Sequence, residues 1–252
     1  MNQTIDISAT IVLFKEDIQL LKKTVESFLS VPLKKKLFLV DNSPSNSLEK
    51  EFSDPEVEYI FSNENVGFGK GHNVVLDKIK GISRFHLILN PDLEFNSHVI
   101  SKMINEILTD ENVTMIAPKV TFQNGEFQYT CRKYPTPLEM ALRRINIFKK
   151  YSQKREYRDN DLAKSFYPDF IHGCFMLFKT EDFVNIGGFD ERYFLYMEDV
   201  DICRKIDQIG KKKLYFPNVQ ISHMLKKESS KDIRLFFTHL NSSIKYFKKW
   251  GF

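Results

Sequence analysis

Over the first half of the chain, short near-continuous apolar runs alternate with segments whose apolar residues recur every three to four positions. Ile5 to Phe14, Leu37 to Val40, Val57 to Phe61, Phe85 to Leu89 and Val113 to Ile116 read as strands. Between them, Ile18, Leu21, Val25 and Phe28 mark one helical face, Val75, Leu76 and Ile79 a second, and Val99, Ile100, Met103, Ile104, Ile107 and Leu108 a third. Strands that are apolar on both faces must be covered on both faces. The alternation therefore predicts an α/β fold, a Rossmann-like, mostly parallel sheet flanked by helices.

The second half departs from that rhythm. Gln123-Asn124-Gly125-Glu126 reads as a hairpin turn, residues 138 to 165 are basic and polar, and Ile171 to Lys179 resumes an apolar run before a helix start at Thr180 to Phe183. From Ile233 to Trp250, Phe236, Phe237, Leu240, Ile244 and Phe247 fall at helical spacing among lysines, which predicts an amphipathic helix.

At 252 residues with 42% hydrophobic and 28% charged, the chain has material for a core and is too apolar to be disordered. No run reaches the roughly 18 apolar residues of a membrane-spanning helix, and Met1 to Asp6 lacks the pattern of a signal peptide, so a cytoplasmic protein is expected. Cys131, Cys174 and Cys203 are odd in number and form no Cys-x-x-Cys pair, which argues against a disulfide framework and a zinc site. The net charge of +4 is regional. Residues 139–158 and 226–252 each carry seven Lys/Arg against two acids, leaving −6 on the remainder, so an anionic partner surface would meet particular segments.

In open α/β sheets, ligands sit beyond the carboxyl ends of strands. One strand delivers Asp41-Asn42-Ser43, whose carboxylate can receive hydrogen bonds from a base or ribose, or form an Asx turn. Another delivers Asn90-Pro91-Asp92, where Asp92 can ligate a divalent cation or close a turn. Between them, Asn65-Val66-Gly67-Phe68-Gly69-Lys70-Gly71-His72-Asn73 has glycines that permit close backbone approach, without the Gly-x-Gly-x-x-Gly spacing of dinucleotide folds. Further on, Glu198, Asp199 and Asp201 crowd one helix start. They cannot share one face, so one can point into a cleft while Glu198 or Asp201 caps the helix. Ser222-His223 ends a strand with an imidazole.

Taken in order, these elements resemble the family 2 glycosyltransferases of the GT-A fold. The likeness is closest to bacterial rhamnosyltransferases of O-antigen and related surface polysaccharides, and it runs from about Ile7 to Trp250. It rests on Val40-Asp41-Asn42-Ser43, Asn65 to Gly69, Leu89 to Asp92, Cys131-Arg132-Lys133-Tyr134-Pro135, His172 to Leu177, Gly188 to Cys203, and His223. The resemblance implies a GT-A domain over 1–225, with a nucleotide-sugar half (1–120) and an acceptor half (121–225), and a helical extension over 226–252. It implies Asp199 as general base. Asp41, Asn65, Gly67, Phe68, Gly69, Gly71, Asn73, Asn90 and Arg132 would line the donor site, and Gly173 and Glu198 the acceptor side. Asp92 and His223 would hold Mg²⁺ or Mn²⁺. Because Asn90 stands where many relatives carry the first Asp of Asp-x-Asp, one anionic ligand is lost and cation binding is expected to be weaker.

The expected reaction is inverting transfer of L-rhamnose from dTDP-L-rhamnose, or of a UDP-activated sugar, to a glycan or polyprenyl-diphosphate-linked acceptor. A catalytically silent scaffold is the competing class. A nucleic-acid binder would leave the carboxylates and glycines unexplained. Such an acceptor would place the chain peripherally at the inner leaflet of the membrane, with Lys245, Lys248, Lys249 and Trp250 of the last helix as contacts. The other expectation is that Phe236, Leu240, Ile244 and Phe247 of that helix pack onto the catalytic domain or onto the partner of a homodimer.

Overall fold

The computed structural model describes residues 4–140, 153–223 and 233–251. In chain order its first half holds β1 (Ile5–Leu13), α1 (Ile18–Leu29), β2 (Lys35–Asp41), β3 (Val57–Phe61), α2 (Phe68–Asn73), α3 (Leu76–Ile79), β4 (Ser83–Leu89), β5 (Leu93–Glu94), α4 (His98–Ile107) and β6 (Val113–Thr121). The second half holds β7 (Cys131–Arg132), β8 (Phe170–Ile171), β9 (Phe175–Lys179), α5 (Thr180–Asn185), α6 (Glu198–Gln208), β10 (Lys212–His223) and α7 (Ile233–Trp250).

Among the described residues, eight strands form one sheet in the order β3-β2-β1-β4-β9-β6-β10-β5, with β7 and β8 as a separate ribbon. The pairs of β1 with β2 and β4, β2 with β3, and β6 with β10 are parallel. Strand β9 runs antiparallel between β4 and β6, and β5 antiparallel at the edge of β10. The mostly parallel sheet is covered on both faces, and alternate side chains divide between two cores. Leu37, Leu39, Leu87 and Leu89 join one cluster with Val25 and Phe28 of α1 and Met103 of α4. Phe38, Val40 and Ile88 join the other with Phe183 of α5, Ile202 and Ile206 of α6, and Tyr246 and Phe247 of α7.

Two elements differ from the sequence reading. The helix expected after Gly71 is two short pieces, because the chain already turns into α2 at Gly67 (φ +86°) and breaks at Val74 and Val75. Strand β6 continues past Pro118 to Thr121, because its register with β10 jumps between Phe216 and Gln220, beside the residue that lacks an N–H. The hairpin turn forms as expected, with Phe122 N–H donating to Glu126 O (2.8 Å). Most of the basic 139–158 segment lies outside the described residues.

Part of the polar surface expected of the last helix is engaged by protein groups. Lys249 Nζ and Trp250 Nε1 both donate to Asp201 Oδ1 (2.7 Å each), Lys245 Nζ donates to Arg192 O (2.6 Å), and Tyr246 and Phe247 are buried. Asp201 is therefore an internal anchor for α7 rather than a helix cap.

Candidate active site

Beyond the carboxyl ends of the parallel strands, the topology gathers residues from distant parts of the chain. The antiparallel register His223↔Leu93 brings His223 beside Asp92. Their Nε2 and Oδ1 atoms are 3.2 Å apart, and His223 Nδ1 lies 3.1 Å from Gln128 Oε1. Leu93 N–H donates to the Thr24 hydroxyl (2.8 Å), which itself donates to Pro91 O (2.9 Å) and so pins the turn that carries Asp92 onto α1. A protonated imidazole donates to both the glutamine oxygen and the carboxylate, which puts a positive charge between Nε2 and Asp92. Burial pulls the His223 pKa down, but the Asp92 and Cys174 hydrogen bonds override it and raise the value to about 10.

That charge can be a proton or a divalent cation. One carboxylate and one imidazole fit a cation that takes its remaining ligands from water and diphosphate oxygens, and the imidazole suits Mn²⁺ better than Mg²⁺. Among the described residues no group of three or more His, Cys, Asp or Glu could hold a metal. Asn90 aligns the adjoining strands through its backbone, donating N–H to Cys174 O (2.9 Å).

Asp199 sits in the first turn of α6. Its Oδ1 accepts from Val200 N–H (2.8 Å) and its Oδ2 from Gly173 N–H (3.3 Å). A Cβ on Gly173 would stand 3.4 Å from that of Asp199, an ordinary contact, so the two residues pack directly against each other. Burial pushes the Asp199 pKa up to about 6 against the pull of these N–H groups and of the Arg132 charge. Glu198 beside it is 6% exposed, and its Oε2 has no partner among the described residues. Burial, and then repulsion from Asp199, hold its pKa well above the usual range, so of the pair it is Asp199 that ionises.

Arg132, on the β7–β8 ribbon, ion-pairs through Nη2 with Glu156 Oε1 (2.7 Å), while Nε and Nη1 are buried without a partner among the described residues. Two such donors beside Asp199 suit an anionic group. His172 donates its N–H to Thr130 O (2.9 Å). Burial, followed by the charges of Arg132 and His223, lowers its pKa to about 3, so it is neutral in the site. Neither Glu156 nor His172 had an assigned role in the sequence reading. The quoted His-Gly-Cys motif was the signal for His172, whereas nothing local marks Glu156.

Asp41 is fully buried at the end of β2. Its Oδ1 accepts from Ser43 N–H (2.8 Å), an Asx turn, and its Oδ2 from the Tyr59 hydroxyl. Both oxygens are engaged by protein donors, and Tyr59 is a residue that sequence reasoning missed. Its signal was a hydroxyl on the strand next to the one ending in Asp41.

The glycine segment approaches protein. A Cβ on Gly67 would lie 2.1 Å from Phe194 O, on Gly69 2.9 Å from Phe189 Cβ, and on Gly71 2.8 Å from a Val12 methyl. Phe68 N–H donates to Phe194 O (3.0 Å), and the Phe68 ring lies 3.5 Å from a Cβ placed on Gly173, which ties this turn to the site around Asp199. Asn65 Oδ1 accepts from Gly67 N–H (3.1 Å). Asn73, expected to line the donor site, instead bridges to Phe189, donating to its carbonyl and accepting from its N–H (2.9 Å each).

The Glycosyl transferase family 2 model matches residues 8–187 of the chain. Curated relatives include the low-salt glycan biosynthesis hexosyltransferase Agl10 of Haloferax volcanii, 30% identical over 169 residues (66% of this chain, 51% of that protein). The N-acetylglucosaminyl-diphospho-decaprenol L-rhamnosyltransferase of Mycobacterium tuberculosis is 23% identical over 195 residues (73% and 62%). Rhamnosyltransferase WbbL of Escherichia coli is 25% identical over 240 residues (90% and 87%). The chain thus spans between half and two thirds of the first two proteins. The solved structure of GalNAc-T7 with UDP, GalNAc and Mn²⁺ superposes with a TM-score of 0.74 at 16% identity, over 98% of this chain and 49% of that one, which identifies the fold as GT-A.

Proposed function

The chain belongs to glycosyl transferase family 2, and on that premise we propose that it is an inverting transferase. It would move L-rhamnose from dTDP-L-rhamnose to a hydroxyl of a glycan or polyprenyl-diphosphate-linked acceptor in bacterial surface polysaccharide synthesis. The observation that carries this reading is the Asp199 carboxylate, held by the Gly173 and Val200 N–H groups with a pKa raised to about 6, beside Arg132 donors that have no partner among the described residues.

The acceptor oxygen attacks the anomeric carbon as its proton passes to Asp199 Oδ2, and the bond from that carbon to the diphosphate oxygen breaks on the opposite side. One such displacement inverts the centre. General-base assistance of this kind contributes about 10²- to 10⁴-fold. Arg132 would meet the charge that grows on the departing diphosphate. Asp92 and His223 would hold a divalent cation there, which supplies electrostatic stabilisation of the same oxygens. Asp41 would accept from the imide N–H of the base, a group that thymine and uracil share, so UDP-activated sugars are the alternative donors.

Rhamnose and a lipid-linked acceptor draw support from the names of the mycobacterial and Escherichia coli relatives. The test is nucleotide release from a panel of dTDP-, UDP- and GDP-sugars, with lipid-linked and water-soluble acceptors and Mn²⁺ or Mg²⁺, followed by assignment of the product's anomeric configuration by NMR. Release from dTDP-L-rhamnose with inversion supports the proposal. Release from no donor sinks it in favour of the silent scaffold, and retention removes the single-displacement mechanism.

A further inference from the structure

The stretch that leads into α6 takes a conformation that its residues do not favour. Tyr196 and Met197 are both left-handed, with φ of +68° and +72°, and neither is a glycine. That region brings Cβ against the following carbonyl, so such residues persist only where their surroundings over-determine them. Met197 O accepts the first helical bond, from Asp201 N–H (2.8 Å). The turn therefore sets where α6 starts, and with it the direction of Asp199 in the first turn.

Helix α7 supplies much of what holds the turn. Ser242 Oγ donates to Leu195 O (2.8 Å), the carbonyl directly before the left-handed pair. The Tyr196 ring meets the His239 ring edge to face, with centroids 5.2 Å apart, and Lys245 Nζ donates to Arg192 O (2.6 Å). His239, Ser242 and Tyr246 recur at intervals of three and four and so lie on one face of the helix, where Ser242 and Tyr246 are buried. Packing alone would be served by an apolar side chain at position 242. The buried hydroxyl instead fixes one carbonyl. The Gly67 turn adds a further hold, Phe68 N–H donating to Phe194 O (3.0 Å).

We propose that α7 is a clamp on the active site, with Ser242 and His239 as positioning residues that hold the left-handed Tyr196–Met197 turn and thereby keep the Asp199 carboxylate on Gly173 N–H. The proposal rests on the reading of Asp199 as the base. Both residues act through the turn. When the clamp loosens, the turn relaxes toward the right-handed region, the first turn of α6 frays, and Asp199 Oδ2 leaves Gly173 N–H, from which it stands 3.3 Å in the held state. The carboxylate is then no longer fixed where the acceptor proton must arrive.

The test is backbone amide hydrogen exchange of the full chain, read by NMR without denaturant and without donor or acceptor. His239→Ala together with Ser242→Ala should speed exchange at Gly173 and Asp201 by about tenfold, what a lost hydrogen bond and ring contact supply together. The Ile82 amide, which donates to Ile79 O (3.1 Å) before the opposite end of β4, should keep its rate. Wild-type rates at Gly173 and Asp201 overturn the proposal, as does an equal rise at all three amides. Tyr196→Gly removes the steric penalty of the left-handed region, so Ser242→Ala should be nearly silent in that background. An undiminished effect there overturns the role of the turn. In turnover, the double alanine variant should lose kcat by a factor similar to the change in exchange, and an unchanged kcat where Asp199→Asn is inactive overturns the link to catalysis. Activity of Asp199→Asn itself would overturn the base reading, a result that the exchange rates cannot give, so the two failures are separate.

Discussion

Asp201 and Trp250 are 49 positions apart in the chain, and the indole Nε1 donates to Asp201 Oδ1 at 2.7 Å. The same carboxylate accepts from Lys249 Nζ (2.7 and 3.0 Å) and from the Tyr193 hydroxyl (3.2 Å), and it is fully buried. A buried carboxylate of this kind is stable only while its partners stay in place. Trp250→Phe keeps most of the ring and removes one charge-assisted hydrogen bond, so unfolding free energy should fall by about 1.5–3 kcal/mol. Urea denaturation reads this directly, and an unchanged midpoint would show that Lys249 and Tyr193 satisfy Asp201 alone.

The second expectation concerns the base. Asp199→Asn keeps the shape and removes the proton acceptor, so kcat should fall by at least about 10²-fold while donor KM is largely kept. In the wild type the working form is the carboxylate, and its pKa is raised to about 6. Turnover should therefore be level above that value and decline about tenfold per pH unit below it. A kcat profile without an acid limb between pH 5 and 7 would take Asp199 out of the role.

What the sequence could disclose follows from the range over which each feature acts. Strand and helix periods are local, so β3 and α7 form at the residues the pattern indicated. Asp92 and His223 were legible as polar ends of apolar strands, but their meeting depends on the antiparallel edge pairing of β5 with β10, which no local pattern encodes. The glycines were legible as positions of close approach. What approaches them was not, since the lack of a Cβ admits Val12 or Phe189 as readily as a ligand. The two faces of α7 were equally ambiguous, because apolar residues lie on both and only packing decides that Phe247 is covered and Phe237 is not.

A third expectation follows from the Asp92–His223 pair. Asp92→Ala should abolish the metal-dependent part of nucleoside diphosphate binding, measured by calorimetry with and without Mn²⁺, while His223→Gln should weaken it. On the proposed role of this pair, chelation should lower turnover and added Mn²⁺ restore it. Full activity after exhaustive chelation would leave Arg132 and the proton on His223 as the charges facing the diphosphate.

Acid should weaken the fold through its buried imidazoles. His86 is fully buried and held between Ser8 Oγ (2.8 Å) and Thr10 Oγ1 (3.2 Å), and burial lowers its pKa to about 3. His72 is fully buried with neither ring nitrogen hydrogen-bonded among the described residues, and burial, then His86, lowers its pKa as well. Both values lie below that of an unfolded histidine, near 6.5, so the unfolded chain binds more protons below that pH. The His86 contribution is present above pH 6.5 and is lost as pH falls toward 3, by about 1.4 kcal/mol per unit, and that of His72 changes in the same direction. Urea unfolding at pH 7 and pH 5 measures the slope, and His86→Asn should flatten it. A slope unaffected by that change would place the proton uptake elsewhere.

The last expectation concerns Tyr59 and the base pocket. Its hydroxyl donates to Asp41 Oδ2 while Ser43 N–H holds Oδ1, so the carboxylate is fixed from both sides before any ligand arrives. Burial, and then Asp41, raise the Tyr59 pKa, which keeps the hydroxyl protonated and donating. Tyr59→Phe removes that donor without opening a cavity, and Asp41 is then held by the Ser43 N–H alone. Binding of the intact nucleotide should weaken by about tenfold or more, the equivalent of the roughly 1.5 kcal/mol or more that one charge-assisted hydrogen bond supplies. Because Tyr59 touches no reacting atom, kcat at saturating donor should be kept, and so should discrimination against the same sugar on a nucleotide lacking an imide N–H. The split between KM and kcat is the readout that a loss of folding would not give, since unfolding lowers the active fraction and leaves KM alone. A fall in kcat with KM unchanged would therefore place Tyr59 in the scaffold and leave Asp41 to be oriented by Ser43.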